Sequence, residues 1–472
     1  MLRRILGATT VICVGAGGAI GSGVFRTPGE LAGMIGSPWV ILLLWVLAGA
    51  LTLMQSLVTA ELATRLPKAG GEYQYLKEAY GDFAAFFFGW SFTIFIIGGG
   101  AAVIAAAFGD FTVSLLRLDA RGWTPAQLGT ASRWFGFAAI SAVVLVNALG
   151  IRAGAVTLNL LTIIKALALI GIGIGAMVVT GRFAPAESTA STTALSPDSP
   201  GLSWDSVALI FQALLLAFWP YTGATDSAKL AEETRDVHRT MPRSLCATVL
   251  ILTVLYLFYN YALLCAMPPD VMAGRADAHA SIFDSITAVN VHALILVASM
   301  IICFGALSSV FLANPRVTFA MARDGLTFRI LGRMTKSQAP VPTLIICWAI
   351  AAFFVLVRGF SDILRIYFMG SALLFGMTYG ALIVFRRRDR AMRRPFPPEA
   401  YRLPAGIWIA GFLIVVEAAI AVSIFVGDVK TWAGSEPRYD SLGSVALLVV
   451  LACLYGLWRR YNPPRRRDPG GD

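Results

Sequence analysis

Twelve apolar segments, each about as long as a membrane-spanning helix, follow one another along this chain. A helix needs about 20 mostly apolar residues to cross the hydrocarbon core of a bilayer. Charged residues make up only 14% of the chain, against about 25% in soluble domains. The sequence therefore predicts an all-α integral membrane protein with twelve transmembrane helices. The predicted spans are 6–27, 38–62, 83–109, 133–151, 154–180, 205–230, 243–267, 281–312, 342–358, 362–385, 404–426 and 441–459.

The positive charge of the chain is concentrated on one side of the predicted membrane. If both termini are cytoplasmic, the cytoplasmic segments hold 26 of the 38 Lys and Arg residues and the outer segments hold 9. Cytoplasmic loops of membrane proteins carry such an excess. We therefore predict a multi-pass protein of the cell membrane with both termini inside. Because the basic residues cluster beside apolar segments, we expect no nucleic acid as a partner.

Cysteine and histidine are too scattered to indicate a metal or cofactor site. The six cysteines fall singly in or beside apolar segments, and the chain has three histidines. Cysteines in such places are usually small buried apolar residues. We expect no metal and no cofactor. An enzyme within the membrane would need clustered His, Asp or Glu at membrane depth, which the sequence lacks, so we expect no enzyme.

The first apolar segment contains a stretch that is poorly suited to a continuous helix. Five of the twelve residues at 14–25 are glycine, and each costs about 1 kcal/mol relative to alanine in a helix interior. Unpaired backbone groups are tolerated at membrane depth only where protein or a water-filled cavity receives them. The stretch therefore predicts a broken helix and a binding site made of main chain.

A second break is predicted five spans later, at residues 217–226. Pro220 removes a backbone donor, and Gly223 is a poor helix former three residues further on. Breaks at corresponding positions of two halves indicate a transporter built from inverted repeats. The N–H groups freed at such breaks suit a carboxylate and the freed carbonyls suit an ammonium group. One site that takes both would take an α-amino acid.

This pattern predicts two five-helix repeats of opposite topology followed by an appendage. The predicted divisions are 1–180 for the first repeat, 181–204 for an external loop, 205–385 for the second repeat, 386–403 for a basic cytoplasmic loop, and 404–472 for helices 11 and 12 with a basic cytoplasmic tail.

Four motifs give the chain a family resemblance. They are GSGVF at 21–25, PKAGGEY at 67–73, AEETRD at 231–236 with RTMPR at 239–243, and RVTFAMARDG at 316–325. Because these motifs occur in this order and at these places, the chain resembles the amino acid–polyamine–organocation transporters, particularly amino acid permeases with the bacterial leucine-transporter fold. The resemblance runs from about residue 10 to residue 390.

The resemblance implies a set of substrate-binding residues at the two breaks. In the first break, main chain at 20–23 would hold the carboxylate and amino groups of the substrate, and Ser22 would add its hydroxyl. In the second break the backbone would offer carbonyls to the ammonium group, and Trp219 would cover the substrate on its outer side. The implied residues are Ile20, Gly21, Ser22, Gly23, Phe218, Trp219, Tyr221 and Gly223.

Lys165 is the most informative single charge in the sequence. A lysine at the centre of a membrane helix costs roughly 3 kcal/mol or more, so it needs a partner or a purpose. The resemblance implies that it occupies the place of a sodium ion in sodium-independent relatives. Its ammonium would bridge the first break, near Gly17 and Gly18, to the eighth span, near Ser308 or Ser309.

Two features of the sequence stay open between alternatives. Asp226 is a candidate proton carrier, a cap of the helix after the second break, or half of an Asp226–Lys229 pair at i, i+3. The segment at 65–81 is either an interfacial helix with tyrosines at the headgroup level or an inner-face element that moves during transport.

The sequence therefore predicts a sodium-independent secondary transporter that moves an amino acid by alternating access, proton-coupled or by exchange. A polyamine or organic-cation transporter of the same fold and a non-transporting substrate sensor are the alternatives. A channel would need rings of charge or carbonyls along a pore, and no repeated polar stripe is seen. The expected partners are an amino acid, the lipid bilayer and, if transport is proton-coupled, protons. The sequence leaves the oligomeric state open.

Overall fold

The computed structural model describes residues 4, 6–68, 70–148, 155–186, 204–284, 290–335, 339–393, 395–432 and 438–461. The described chain is helical and contains no β-strand, which confirms the all-α class. The helices are α1 (Ala8–Ala19), α2 (Gly23–Met34), α3 (Pro38–Arg65), α4 (Glu72–Tyr80), α5 (Asp82–Ser91), α6 (Gly100–Leu115), α7 (Pro125–Ala148), α8 (Ala155–Thr180), α9 (Trp204–Phe218), α10 (Val237–Ala266), α11 (Pro269–Met272), α12 (Ala278–Ser281), α13 (Val291–Ala313), α14 (Pro315–Arg323), α15 (Val341–Val357), α16 (Phe360–Ala391), α17 (Gly406–Thr431) and α18 (Asp440–Tyr461).

The described helices cross a membrane ten or eleven times by length and composition. Ten helical runs are long and apolar enough, three of them made of consecutive helices (82–115, 207–233 and 291–323), and α1 with α2, bent by 44°, gives an eleventh if the pair is one span. In the third span, α5 and α6 are joined through a π-helical stretch at Phe92–Gly99. At 17 residues α15 is at the lower limit for a spanning helix. A multi-pass membrane fold is confirmed, whereas the count of twelve stays a prediction.

Several predicted helix boundaries are wrong by about a turn or more. The third span ends at Leu115 rather than at 109, the fourth begins at Pro125 rather than at 133, the seventh begins at Val237 rather than at 243, and the tenth and eleventh end at Ala391 and Thr431 rather than at 385 and 426. The first span does not leave the helix at residues 26–28, since α2 continues through Pro28 to Met34. Pro28 lies only five residues after the start of α2, so it removes a single intrahelical hydrogen bond. The eighth span begins at Val291 rather than at 281, because residues 278–281 form the separate short helix α12.

Small residues allow the spans to approach closely around the first break. Gly49 of α3 contacts Thr253 of α10, and Gly136 of α7 lies against the backbone of Ala105 in α6. Such contacts replace the hydrophobic driving force that water supplies to soluble helix bundles. Helix α1 packs between α8 and α10. The break that follows α1 is therefore enclosed by other helices rather than by lipid.

The segment at 65–81 folds into the short helix α4 and packs inward. Tyr73 and Tyr75 are fully buried, and the Tyr73 hydroxyl donates to a carboxylate oxygen of Asp324 at 2.8 Å. These two side chains therefore face protein and not lipid headgroups, and the membrane depth of the segment stays a prediction. The sequence could not decide this, because an amphipathic pattern does not say whether lipid or protein covers the apolar face.

The predicted divisions of the chain are only partly within the described residues. Of the external loop at 181–204, residues 187–203 lie outside them, as do residues 462–472 of the predicted tail. Helix α16 continues to Ala391, so the boundary at 385 falls inside a helix and not at its end. The division into repeats at 1–180 and 205–385 stays a prediction.

Candidate functional site

The first predicted break lies between α1 and α2. Helix α1 ends at Ala19, and Ile20 has an extended backbone with φ −72° and ψ 92° before α2 begins at Gly23. The last carbonyls of α1 and the first N–H groups of α2 therefore lack intrahelical partners. Both kinds of group face the interior of the protein, because residues 19–23 are buried.

The second predicted break follows α9. After Phe218 the chain makes a short 3₁₀ turn at Trp219–Tyr221, and a second 3₁₀ segment runs from Asp226 to Glu233. Between them Gly223 has φ +94°, a conformation that residues with a Cβ rarely adopt. The glycine is required here for a second reason. A Cβ at position 223 would lie 3.1 Å from the carbonyl carbon of Gly18, so the two breaks meet backbone to backbone.

A cavity of about 80 Å³ opens beside this meeting point. It is walled by both breaks and by the third, eighth and tenth spans. Its lining residues are Gly18, Ala19, Gly21, Ser22, Gly23, Glu72, Phe92, Ile96, Gly100, Ile104, Trp219, Pro220, Thr222, Gly223, Thr225, Asp226, Lys229, Val310, Asn314, Tyr367 and Phe375. The Ser22 hydroxyl is buried and has no hydrogen-bond partner. A polar group left unpaired in a cavity wall suits a bound ligand.

Trp219 covers one end of the cavity. Its indole ring meets the Tyr367 ring edge to face, with 5.0 Å between the centroids. A Cβ at position 23 would lie 2.6 Å from the indole Cδ1, so Gly23 is required for the indole to reach this position. We call this the Trp219 end of the cavity.

Lys165 connects α8 to the first break. Its Nζ donates to the carbonyl of Gly17 at 3.2 Å and to the carbonyl of Ile20 at 3.1 Å, and the residue is only 6% exposed. One turn earlier on α8, the Thr162 hydroxyl donates to the carbonyl of Cys13 at 3.0 Å. A cation at a helix C-terminus is favoured by the helix dipole. Lys165 therefore supplies the positive charge to which the free carbonyls of α1 are directed.

Comparison with known proteins agrees with this geometry. The profile described as amino acid permease matches residues 6–439. This chain belongs to the amino acid permease family. Three relatives align with most of this chain over most of their own length. The b(0,+)-type amino acid transporter 1 of Rattus norvegicus is 26% identical over 98% of this chain and 89% of its own length. The serine/threonine exchanger SteT of Bacillus subtilis is 28% identical over 89% of this chain and 92% of its own length. The human Asc-type amino acid transporter 1 is 25% identical over 98% of this chain and 84% of its own length.

The comparisons confirm the resemblance to the amino acid–polyamine–organocation transporters. The family and these relatives are transporters rather than enzymes, as the sequence predicted.

Three of the eight predicted substrate-binding residues, Ile20, Phe218 and Tyr221, do not line the cavity of this permease. Gly17 does not line it either, but its carbonyl accepts from Lys165 as predicted. The Tyr221 hydroxyl donates to the carbonyl of Trp45 at 3.1 Å, and Phe218 faces a separate small cavity of about 10 Å³. Gly17 lies against Thr162, where no Cβ would fit, and Ile20 is buried without touching the cavity. The sequence could not predict which of these residues point into the cavity, because a broken segment does not keep the 3.6-residue period of a helix.

The carbonyls of the second break already accept hydrogen bonds within the permease. The Trp219 carbonyl accepts from the backbone N–H of Thr222 at 3.0 Å and from its hydroxyl at 2.7 Å. The Pro220 carbonyl accepts from the Tyr256 hydroxyl at 2.9 Å, and the Tyr221 carbonyl from the N–H of Ala224 at 3.1 Å. Because a carbonyl has two acceptor positions, the Pro220 carbonyl retains one for a ligand in the cavity.

The predicted bridge from Lys165 to the eighth span is displaced by about one helical turn. No hydrogen bond within the described residues joins Lys165 to Ser308 or Ser309. Ser309 donates to the carbonyl of Gly305 at 3.0 Å, and Ser308 accepts from Asn147 at 3.4 Å. Lys165 instead passes Gly305, where a Cβ would lie 3.7 Å from Nζ. The predicted contact with Gly18 is likewise replaced, because Gly18 packs on Gly223.

The cavity wall also carries charges that the sequence did not bring together. Asp226 pairs with Lys229 at 2.8 Å, which confirms the i, i+3 pair. Lys229 also donates to the side-chain oxygen of Asn314 at 3.0 Å, and Glu72 of α4 completes this group. Glu72 and Asn314 were missed because they are far from residues 226–229 in sequence. The one sequence signal was that both lie at helix breaks, beside Gly71 and Pro315.

Proposed function

We propose that this protein is a sodium-independent secondary transporter that moves an amino acid across the membrane by alternating access, in exchange or with a proton. Membership of the amino acid permease family and relatives that are named amino acid transporters or an amino acid exchanger support the substrate class. The contacts of Lys165 carry the sodium-independent part of the proposal.

Lys165 stands where a monovalent cation would otherwise be needed. A broken helix leaves carbonyls at the C-terminal end of its first half, and sodium binds such carbonyls in transporters with broken helices. Here Nζ occupies the carbonyls of Gly17 and Ile20 at 3.2 and 3.1 Å. A covalently attached cation keeps the break in its binding-competent shape without an ion from solution.

The substrate would bind with its two charged ends at the meeting point of the breaks. The N–H groups of Gly23 and Val24 begin α2 and are free for a carboxylate, and the unpaired Ser22 hydroxyl lies beside them. The ammonium group would take the remaining acceptor position of the Pro220 carbonyl, in the cavity wall. Both interactions use main chain, which suits a group common to all α-amino acids.

Alternating access would follow from the position of the site between two sets of spans. Trp219 closes one end of the cavity over Gly23, while Lys229 and Asn314 link the second break to the eighth span in the cavity wall. Opening one end while the other stays closed would carry the substrate across. Both closures join a broken span to the surrounding helices, so both must change as the broken spans move.

Transport by the purified protein in liposomes tests the proposal. Uptake of labelled amino acids should proceed when sodium is replaced by choline inside and outside, and added sodium should not change the rate. A requirement for sodium would contradict the role of Lys165. Binding of an amino acid without flux would indicate a sensor, and flux of polyamines alone would indicate the organic-cation alternative.

A further inference from the structure

Glu72, Asp226 and Lys229 lie together in one part of the cavity wall, which we call the acidic end. When both carboxyl groups are ionised, this group has a net negative charge. Within the described residues these three are the charged side chains that line the cavity. Two carboxylates and one ammonium leave one negative charge in excess. A buried charge without a partner is strongly unfavourable, so this excess points to a cation that the ligand brings.

Lys229 carries a single positive charge, so it cannot neutralise both carboxylates. Its ammonium has three donors. One donor bonds Asp226 Oδ1 at 2.8 Å and another bonds Asn314 Oδ1 at 3.0 Å. Its Nζ lies 4.8 Å from the centre of the Phe92 ring, so an aromatic face covers part of the remaining surface. The lysine is thereby held against the second break.

Two carboxylate oxygens at the acidic end are left for a ligand. Glu72 is only 8% exposed, and its Oε2 is buried without a hydrogen-bond partner. Asp226 is 31% exposed at its side chain, and its Oδ2 is directed to the first break, 3.9 Å from where a Cβ of residue 18 would lie. One oxygen thus comes from α4 and the other from the second break, on either side of the same space.

We propose that the acidic end is a subsite for a positively charged substrate side chain, with Asp226 and Glu72 as its acceptors. The inference rests on the proposed function, since it assumes that the α-carboxylate and α-amino groups bind at the breaks. The substrates it selects are amino acids with an amine at the end of the side chain, such as lysine and ornithine. A neutral side chain would leave Glu72 Oε2 buried and unpaired and would offer no charge to Asp226.

A proton competes with the substrate for Glu72. Burial raises the pKa of the Glu72 carboxyl above its ordinary value, although the positive charge of Lys229 opposes the rise. The other titratable groups within electrostatic range are Asp226, Tyr75 on the same helix and Tyr379 on α16. As the pH falls through this raised pKa, Glu72 loses its charge. The affinity for a cationic side chain should fall with it.

Transport of matched substrates tests the subsite. Purified protein in liposomes, with the membrane potential clamped at zero, is assayed with labelled lysine and labelled norleucine, which has the same carbon chain without the side-chain amine. We expect kcat/KM to be at least about 10-fold higher for lysine, the value of one hydrogen bond to a charged group. Ornithine and norvaline should show the same ratio.

The variants are Asp226→Asn and, separately, Glu72→Gln, with Glu78→Gln as control. Glu78 lies on α4 as Glu72 does, but it is exposed and does not line the cavity. Each acidic-end variant should lower the lysine/norleucine ratio of kcat/KM about 10-fold, whatever it does to norleucine uptake itself, and the control should keep the original ratio. Glu72→Gln should also abolish the rise of the lysine KM at low pH.

Two outcomes overturn the inference, and a third overturns the proposed function while leaving the subsite to a binding measurement. Norleucine uptake equal to lysine uptake in the unmodified protein removes the subsite but leaves the proposed function standing. If norleucine uptake depends on protons and Glu72→Gln abolishes that dependence, Glu72 is a proton carrier and not a substrate acceptor. If no amino acid is transported, the proposed function fails. Thermal unfolding of the purified protein then decides the subsite, since lysine must raise the Tm more than norleucine does and must lose this effect in Asp226→Asn.

Discussion

Gly18 and Gly223 lie in backbone contact where the two broken spans meet. A Cβ on Gly223 would approach the carbonyl carbon of Gly18 to 3.1 Å, and Gly223 has φ +94°. Gly223→Ala should therefore separate the breaks and cost about 1–2 kcal/mol in backbone strain alone. We expect loss of amino acid uptake with folded protein still recovered. Gly411→Ala on α17, where a Cβ meets nothing within 4 Å, should leave uptake unchanged. Equal uptake by both variants would show that the contact is unnecessary.

Trp219 should control substrate retention at its end of the cavity. Trp219→Ala removes the ring that contacts Tyr367 and covers Gly23. Because the bound substrate would lose an apolar cover, we expect its KM to rise about 10-fold or more. The KM of Trp219→Phe should lie between the values of the parent and of Trp219→Ala. Trp408→Ala is the matched control, since Trp408 is 82% exposed on α17. An unchanged KM in Trp219→Ala would rule out the covering role.

His279 should make the folded protein less stable as the pH falls. This residue lies on α12, outside the spanning helices, and hydrogen-bonds Ser299 at 3.0 Å. Burial, and to a lesser degree the neighbouring charge of His292, lowers the pKa of His279 to about 3. Its unfolded value is about 6.5. Between these values the unfolded chain binds a proton that the folded chain does not.

The stability from His279 is therefore fully present above about pH 6.5, and it falls by up to about 1.4 kcal/mol per pH unit below that value. The Tm of the detergent-solubilised protein should drop between pH 7.5 and 5. In His279→Gln the drop should be smaller. His238→Gln, which alters a histidine 26% exposed at its side chain beside Glu399, should keep the full drop. The same drop in all three proteins would refute the assignment to His279.

Glu61 and Arg386 should hold α3 to α16 and to the chain before α17. Glu61 is fully buried and accepts from Arg386 Nε at 2.9 Å and from the backbone N–H of Leu403 at 2.8 Å. Glu61→Gln would leave the guanidinium without its counter-charge, at a cost of about 3–5 kcal/mol. We expect a clear loss of Tm and of yield. Glu399→Gln, at an 81% exposed side chain, should match the parent, and a normal Tm in Glu61→Gln would contradict the account.

The sequence allowed both breaks and the depth of Lys165 to be predicted because each depends on local chemistry. Glycine and proline disfavour a helix wherever they lie, and a lysine near the centre of a 26-residue apolar helix cannot easily reach water. The family resemblance, carried by four short motifs, added the fold and the role of the breaks.

The positions that could not be predicted depend on how distant segments pack. Tyr221 points to Trp45 and away from the cavity, because rotation within an irregular segment has no fixed period. Lys165 meets Gly305 one turn before the expected serines, because the vertical register of α8 against α13 is set by packing. Glu72 reaches Lys229 only through the fold of α4, more than 150 residues away in the chain.

Uptake by Lys165→Ala in sodium-free liposomes tests the central claim most directly. The claim is that the Lys165 ammonium replaces a sodium ion at the carbonyls of Gly17 and Ile20. Lys430→Ala, which removes an exposed lysine on α17, is the control. We expect the control to match the parent and Lys165→Ala to lose uptake by about 10- to 100-fold, the value of one to two charge-assisted hydrogen bonds. Parent-like uptake by Lys165→Ala in the absence of sodium would contradict the account.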